Sequence, residues 1–128
     1  MEKEKTCKIV FSDIDGTLLT SDGQITEGTK EMILNLEKKG IPFILTSARS
    51  PEGVRVIKRM LGNHAPIIAF CGGLILDDDG NEIYSKMIPL KRALELKAML
   101  DKDFPAVACN TFGGEKWIVD DRDDWREQ

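Results

Sequence analysis

The sequence lacks long apolar runs and lacks an excess of basic charge. Its longest apolar stretches, such as Ile67 to Cys71, fall far short of the ~20 residues that a membrane-spanning helix needs. Eighteen basic residues against 22 acidic ones leave a formal net charge of -4, which provides no positive field for nucleic acid or an anionic membrane. We therefore expect neither nucleic acid nor a membrane as a partner.

Paired cysteines and an apolar leader are also missing. Cys7, Cys71 and Cys109 are odd in number and widely spaced, which excludes a regular disulfide framework and a paired zinc site. We interpret them as reduced thiols in core positions. The first residues pass directly into a strand pattern at Cys7 without an apolar signal region, so we expect a cytoplasmic protein.

What is present is the composition of an ordinary folded protein. Charged residues make up 31% and hydrophobic residues 41% of the 128 positions, values typical of soluble globular chains. Three short apolar runs, Lys8 to Phe11, Ile41 to Thr46 and Pro66 to Phe70, have the form of buried parallel strands. One compact α/β core is therefore predicted.

Two helical patterns separate these three strands. Thr26 to Lys39 places Met32, Ile33 and Leu36 on one apolar face, and Gly40 ends it. In the second, Ser50 is the cap, Pro51 takes the first position, Val54, Ile57 and Leu61 share a face, and Gly62 is the stop. The alternation predicts a doubly wound, Rossmann-like sheet with ligands beyond the carboxyl ends of its strands.

After the third strand the pattern changes to that of a second, small α+β unit. We predict a hairpin that leaves the sheet, then a helix, then two more strands. The boundary is placed near Glu82, which gives a core of residues 1–81 and a partial cap of residues 82–128. The predicted elements are strands at Leu74 to Leu76, Glu82 to Met87, Ala106 to Thr111 and Lys116 to Asp120, a helix at Pro89 to Lys102, and a turn at Gly113-Gly114.

The most informative stretch runs from Phe11 to Leu19, where two carboxylates follow an apolar strand. Asp13 and Asp15 alone would predict only turn chemistry. The full context, an apolar strand followed by Asp-x-Asp-Gly-Thr-Leu-Leu, resembles the first motif of haloacid dehalogenase-type phosphatases. That resemblance implies that Asp13 is the nucleophile and forms an aspartyl-phosphate, and that Asp15 is the general acid and base with a pKa nearer neutrality.

The same resemblance implies a cofactor and a phosphate cradle. Mg²⁺ would be held by the Asp13 carboxylate and the main-chain carbonyl of Asp15, together with water, phosphate and a later acidic motif. Gly16 lets the backbone turn closely past the phosphate, and Thr17 either donates a hydrogen bond to it or satisfies the turn. Both are candidate phosphate-binding residues.

A second motif follows the second predicted strand. Ser47-Ala48-Arg49 resembles the family's Thr-Gly-Arg triplet, which makes Ser47 and Arg49 candidates for binding phosphate. Thr46 is a rival for the hydroxyl role, and Ala48 replaces the usual glycine. The placement of the second unit resembles the Cof-type, class IIB subgroup of sugar-phosphate phosphatases, in which Asn-Gly often stands where this chain has Cys71-Gly72.

The family's later motifs, a lysine and a Gly-Asp-containing acidic loop, are not found. Asp120, Asp121, Asp123 and Asp124 have no preceding core strand and are interpreted as a solvated acidic turn, and Lys116 lies in the cap-like region. An inactive or incomplete module that binds a partner is therefore the alternative to an active phosphatase. A signalling receiver domain is a third interpretation, and it is disfavoured because Phe70 to Gly72 supplies no acceptor aspartate.

The missing later half also predicts a bare edge on the nucleophile's strand. In the family that edge is flanked by strands from the later half. We therefore expect a homo-oligomer, a complementing chain or poor solubility.

Overall fold

The computed structural model describes residues 8–114 and 116–119, in two compact units that divide between Lys86 and Met87. The elements, in chain order, are β1 (Val10–Asp13), α1 (Glu27–Lys38), β2 (Phe43–Thr46), α2 (Pro51–Leu61), β3 (Ile67–Ala69), β4 (Leu74–Leu76), β5 (Glu82–Ser85), α3 (Leu90–Asp103), β6 (Thr111–Gly113) and β7 (Lys116–Ile118). None of the helices within the described residues is both long and apolar enough to cross a membrane.

The first unit contains a five-stranded sheet in the order β1-β2-β3-β4-β5. β1, β2 and β3 run parallel, with Asp13 opposite Thr46 and Thr46 opposite Ile68. The predicted α/β architecture with three parallel strands is confirmed. β1 lies at the edge of this sheet, and the Phe11 side chain is 56% exposed.

The β4–β5 hairpin differs from the expectation that it leaves the sheet. β4 pairs antiparallel with β3, joining Ile68 to Ile75, and β5 extends the same sheet through Tyr84. The chain can reverse directly because a tight turn at Phe70–Gly72 replaces a crossover helix. Leu76 is buried in the core, which gives the hairpin a reason to stay on the sheet. A cap beginning at residue 82 stays a prediction.

The second helix forms as its sequence predicts. The Ser50 side chain accepts a hydrogen bond from the Gly53 backbone N–H, Pro51 takes the first position, and Gly62 ends the helix at a φ of 76°. Its apolar face buries Val54, Ile57 and Leu61. These side chains join a core that also contains residues from the first loop, α1 and the sheet, namely Ile14, Leu18, Ile33, Phe43, Leu45, Ile67, Ala69 and Leu76.

The first helix is also where it was predicted, but its apolar face is narrower. Thr26 caps it, Ile33 is buried and Leu36 packs against the core. Met32 was wrongly placed on the buried face, because its side chain is 63% exposed. A position one residue before Ile33 is turned about 100° away on a helix, so both cannot face the core fully.

The second unit contains α3 and a short β6–β7 hairpin. The predicted helix is confirmed with its bounds shifted by one residue, whereas the strand predicted for residues 106–111 is largely wrong. Only Thr111 of that range is in a strand, and β6 extends instead to Gly113. Phe112 and Trp117 stack across the hairpin with ring centroids 6.0 Å apart. The interpretation of Asp120, Asp121, Asp123 and Asp124 lies outside the described residues.

Candidate active site

Three loops follow the carboxyl ends of β1, β2 and β3. They lie at the same end of the sheet, because parallel strands all end on that side. The first loop carries Asp13, Asp15, Gly16 and Thr17, the second carries Ser47 and Arg49, and the third begins at Phe70. All six residues predicted for the site therefore lie in the first unit, at the edge where a ligand was expected.

The first loop is a tight turn folded around Ile14. The Ile14 side chain is fully buried, and its carbonyl accepts backbone hydrogen bonds from Leu18 at 3.0 Å and Leu19 at 3.1 Å. Gly16 adopts a φ of 75°, in the left-handed region that favours glycine. The buried anchor leaves Asp13, Asp15, Gly16 and Thr17 exposed, so the predicted nucleophile and its neighbours are open to a ligand.

A two-pronged ion pair joins the first loop to the second. Arg49 Nε donates to Asp15 Oδ2 at 2.9 Å, and Arg49 Nη2 donates to Asp15 Oδ1 at 2.6 Å. This parallel geometry is the strong form of an arginine–carboxylate contact. The hydrogen bond from Arg49 lowers the pKa of Asp15 below its usual value, burial opposes this shift, and the positive charge of the guanidinium supports it. A pKa nearer neutrality was predicted for Asp15 as general acid and base, so the shift in this structure runs in the opposite direction.

Two hydroxyl groups stand at the end of β2. Ser47 is 4% exposed, and its Oγ accepts the Arg49 backbone N–H at 3.1 Å. Thr46 Oγ1 is buried and has no hydrogen-bond partner among the described residues. The structure therefore gives Ser47 a role in shaping the loop, while the choice between Ser47 and Thr46 as the phosphate-binding hydroxyl stays open.

The third loop is tied to the second through the backbone. The Phe70 N–H donates to the Arg49 carbonyl and the Cys71 N–H donates to the Ser47 carbonyl, both at 3.0 Å. Phe70 and Cys71 have φ values of 50° and 54°, which residues other than glycine and asparagine rarely adopt. Sequence reasoning missed this turn. A signal was present, since Cys71 stands where the family often has asparagine.

The interpretation of the cysteines as core residues was wrong for Cys71. Its thiol is exposed, because the residue lies in the turn after β3 instead of in the strand itself. Cys109 is only half-buried, and Cys7 lies outside the described residues.

The oxygen donors of the first loop match a divalent cation only in part. A carboxylate at Asp13 and a main-chain carbonyl at Asp15 are hard oxygen ligands of the kind that such a cation prefers. Within residues 8–114 and 116–119, however, no three acidic, histidine or cysteine side chains gather closely enough to hold a metal. These two residues fit as part of a coordination shell and do not complete one.

Asp13 and Asp15 line neither of two surface cavities that the described residues form. One, of about 460 Å³, is bordered by Ser12 and Thr17 and by residues of α1 and β2. The other, of about 580 Å³, lies where α2 ends and the β4–β5 turn approaches it, at the opposite end of the sheet. There Lys58 donates to both Asp78 and the Ala65 carbonyl, so its charge is already paired.

Comparison with known proteins supports the family resemblance that the first motif indicated. Residues 10–128 match the family model of haloacid dehalogenase-like hydrolases. A Haemophilus influenzae protein named "Putative phosphatase" is 36% identical, over 90% of this chain and 47% of its own length. The solved structure of a haloacid dehalogenase-like hydrolase from B. subtilis is 25% identical with a TM-score of 0.71, covering 83% of this chain and 37% of that one.

A sugar phosphatase of HAD subclass IIB, BT4131, shares the fold with a TM-score of 0.69 at 23% identity, over 88% of this chain and 43% of that one. The chain thus spans less than half the length of these relatives. Membership of the family suggests that a divalent metal takes part in its chemistry. The family model covers most of the chain, and the chain belongs to the haloacid dehalogenase-like hydrolases.

Proposed function

We propose that this chain provides the nucleophile half of a magnesium-dependent phosphatase that hydrolyses small phosphorylated metabolites. The observation that carries the proposal is the Arg49–Asp15 pair, which brings the first and second motifs together beside the exposed Asp13. A carboxylate nucleophile can form a covalent phosphoryl intermediate, a second carboxylate can transfer the proton, and a guanidinium can stabilise the negative charge.

In the first step an Asp13 carboxylate oxygen bonds to phosphorus as the bond from phosphorus to the ester oxygen breaks. The departing alcohol oxygen takes a proton from Asp15. In the second step Asp15 removes a proton from water, whose oxygen attacks the aspartyl-phosphate and releases inorganic phosphate and Asp13. Splitting hydrolysis in this way replaces one difficult displacement with two easier ones.

Arg49 links the arrival of substrate to the protonation of Asp15. While the guanidinium is paired with Asp15, it holds the pKa of that carboxyl low and the carboxyl ionised. A bound phosphate competes for the same guanidinium, because arginine also binds phosphate oxygens in two-pronged fashion. When Arg49 turns to the phosphate, the pKa of Asp15 rises and the carboxyl can carry the proton needed in the first step.

The remaining cradle consists of Gly16, Thr17 and Ser47. The positive φ at Gly16 turns the backbone sharply beside Asp15, and Thr17 is exposed on the same turn. Ser47 contributes through the loop that it stabilises, since its Oγ accepts the Arg49 N–H.

Mg²⁺ would be held by Asp13 and by the Asp15 carbonyl, with water, phosphate and a further acidic side chain supplying the other oxygens of its octahedral shell. When bound, it would offset the repulsion between the Asp13 carboxylate and the phosphate dianion. The two donors present support this partial assignment, because both belong to the exposed first loop.

The substrate class follows from the relatives. The similarity to a sugar phosphatase of subclass IIB favours sugar phosphates, and the cap that selects among them would consist of the second unit together with β5. We place the beginning of that cap near residue 82 and the protein in the cytoplasm.

The edge of β1 supports a partner proposal. β1 pairs only with β2 in the described sheet, and the Phe11 side chain is more than half exposed. Unpaired strand edges attract further strands. We propose that a second copy or a complementing chain covers this edge, and a stable monomer in analytical ultracentrifugation would count against it.

The activity is tested with a generic phosphate ester in the presence of Mg²⁺. Asp13→Asn keeps the shape of the side chain but removes the nucleophile, so turnover falls to background. Asp22→Asn is the matched control, because Asp22 lies further along the same loop and bonds to the Thr20 hydroxyl. Unchanged turnover in Asp13→Asn contradicts the assignment, whereas phosphate binding without turnover in the unaltered chain favours the binding-module alternative.

A further inference from the structure

Gly53 occupies a helical position that does not call for glycine on backbone grounds. It is the third residue of α2, and its φ lies outside the left-handed region that glycine is needed for. Glycine within a helix lowers stability relative to alanine. The explanation for glycine at this position must therefore come from the space around it.

That space is filled by the side chain of Arg49. A Cβ added at Gly53 would lie 3.2 Å from Arg49 Cβ and 3.6 Å from Arg49 Cδ. Carbon atoms in good contact are about 3.5–4.0 Å apart, so the nearer approach forces one of the two groups to move. It would also lie 3.6 Å from Ser50 Oγ, the atom that caps α2. The stem of Arg49 thus crosses the first turn of the helix directly over Gly53.

The position of this stem matters because both ends of Arg49 are fixed. Its backbone N–H donates to Ser47 Oγ, and its Nε and Nη2 atoms donate to the two carboxylate oxygens of Asp15. Two parallel hydrogen bonds tolerate little displacement of the guanidinium. If Arg49 Cβ is displaced by a few tenths of an ångström, the torsion angles of its side chain have to change for these nitrogens to keep both hydrogen bonds.

We propose that Gly53 is a positioning residue, whose missing Cβ lets Arg49 lie along the first turn of α2 and reach Asp15 with two nitrogens. The functional meaning of this role rests on the proposed phosphatase, in which Arg49 passes from Asp15 to the phosphate. The geometric part can be tested without any turnover.

Gly28 provides a matched control. It is the second residue of α1, and a Cβ added there meets nothing within 4 Å. Gly28→Ala and Gly53→Ala therefore remove a glycine from the first turn of a helix in both cases. Only the second substitution presses on Arg49.

The measurement is the side-chain Nε–H signal of Arg49 in ¹⁵N-resolved NMR spectra of the whole chain. Asp15→Asn first establishes that this signal reports the ion pair, and an unchanged signal there would already overturn the proposal. Gly53→Ala should shift the signal and speed its exchange with water by about fivefold or more, since a charge-assisted hydrogen bond is weakened. Gly28→Ala should leave both quantities as they are.

The opposite outcome is equally clear. If Gly53→Ala leaves the Arg49 signal as Gly28→Ala does, Gly53 has no positioning role. Backbone amide spectra of both variants show whether they fold, and the Asp15→Asn comparison decides the existence of the pair even if Gly53→Ala does not fold. A chain that fails to hydrolyse phosphate esters but gives the expected signals disproves the proposed activity and leaves the positioning role of Gly53 intact.

Discussion

The two units of this chain differ in how much apolar surface they remove from water. In the described residues, every buried apolar side chain lies between Ile14 and Leu76, in the first unit. In the second unit Leu90 is 75% exposed and Trp117 is 62% exposed, and no described side chain is buried. Burial of apolar surface is the main source of stability. The candidate active site therefore lies on the unit whose described residues form a buried apolar core.

The largest predicted effect is a direct test of this difference. Leu61→Ala removes a fully buried side chain from α2 and should lower the free energy of unfolding by about 2–5 kcal/mol, since it leaves a cavity in a packed core. Leu94→Ala is the matched substitution in α3, where the side chain is 61% exposed, and should change the stability by no more than about 0.5 kcal/mol. Urea unfolding curves give both values, and similar losses would contradict the contrast between the units.

A second, intermediate effect concerns the starts of two helices. Ser50→Ala should cost about 1 kcal/mol in urea unfolding, because Ser50 accepts the Gly53 N–H at the beginning of α2. In α3, Pro89 stands at the corresponding position and makes no side-chain hydrogen bond to the helix.

Pro89→Asp should accordingly strengthen α3 by up to about 1 kcal/mol. The measurement is hydrogen exchange of the amides in the first turn of α3, which should slow. Faster exchange in Pro89→Asp, or no loss of stability in Ser50→Ala, would show that these capping residues do not control their helices.

The smallest expected effect depends on pH. The hydrogen bond from Lys58 lowers the pKa of Asp78, burial opposes this, and a further bond from His64 supports it. A carboxyl whose pKa is lowered by folding adds stability above its unfolded pKa of about 3.9, and loses that contribution as the pH falls through the folded value. Asp78 is 41% exposed, so the contribution at pH 7 is at most about 1 kcal/mol.

Asp78→Asn should therefore be less stable than the unaltered chain at pH 7, and the difference should close as the pH falls below about 4. Asp101→Asn in α3 removes the ion pair with Lys97, which lies one helical turn before it; the two side chains are 45% and 39% exposed. This substitution should change the free energy of unfolding by about 0.5 kcal/mol or less. Urea unfolding at a series of pH values separates the two variants. A difference for Asp78→Asn that persists at pH 2 would rule out the ion pair as its cause.

Features fixed by neighbouring residues were predictable from the sequence. The start, buried face and end of α2 all follow from local signals, from Ser50 to Gly62, and the structure confirms each of them. The position of the first motif at the end of β1 is equally local. The pairing of the β4–β5 hairpin with the sheet was not predictable in this way, because it depends on the burial of Leu76 against residues distant in sequence.

The site shows the same division. The sequence identified the candidate residues, but not that Arg49 would hold Asp15, since the two are 34 positions apart and the contact depends on how α2 begins. The expected direction of the Asp15 pKa was wrong for this arrangement for the same reason. The positive φ values of Phe70 and Cys71 also escaped prediction, because backbone bonds to the loop after β2 override their local preference.

The strand order has a consequence for the sequence of events in folding. Leu74 pairs with Ser85 across a short turn, whereas Val10 finds Phe43 only after a helix and two loops have been closed. Closing a longer loop costs more conformational entropy, and this cost comes before the stabilising contacts between its ends can form. We expect β1 to join the sheet late, after the hairpin and β3 have formed. The strand that carries Asp13 is then the last to be positioned, and we expect the proposed nucleophile to reach its place only when the rest of the first unit has formed.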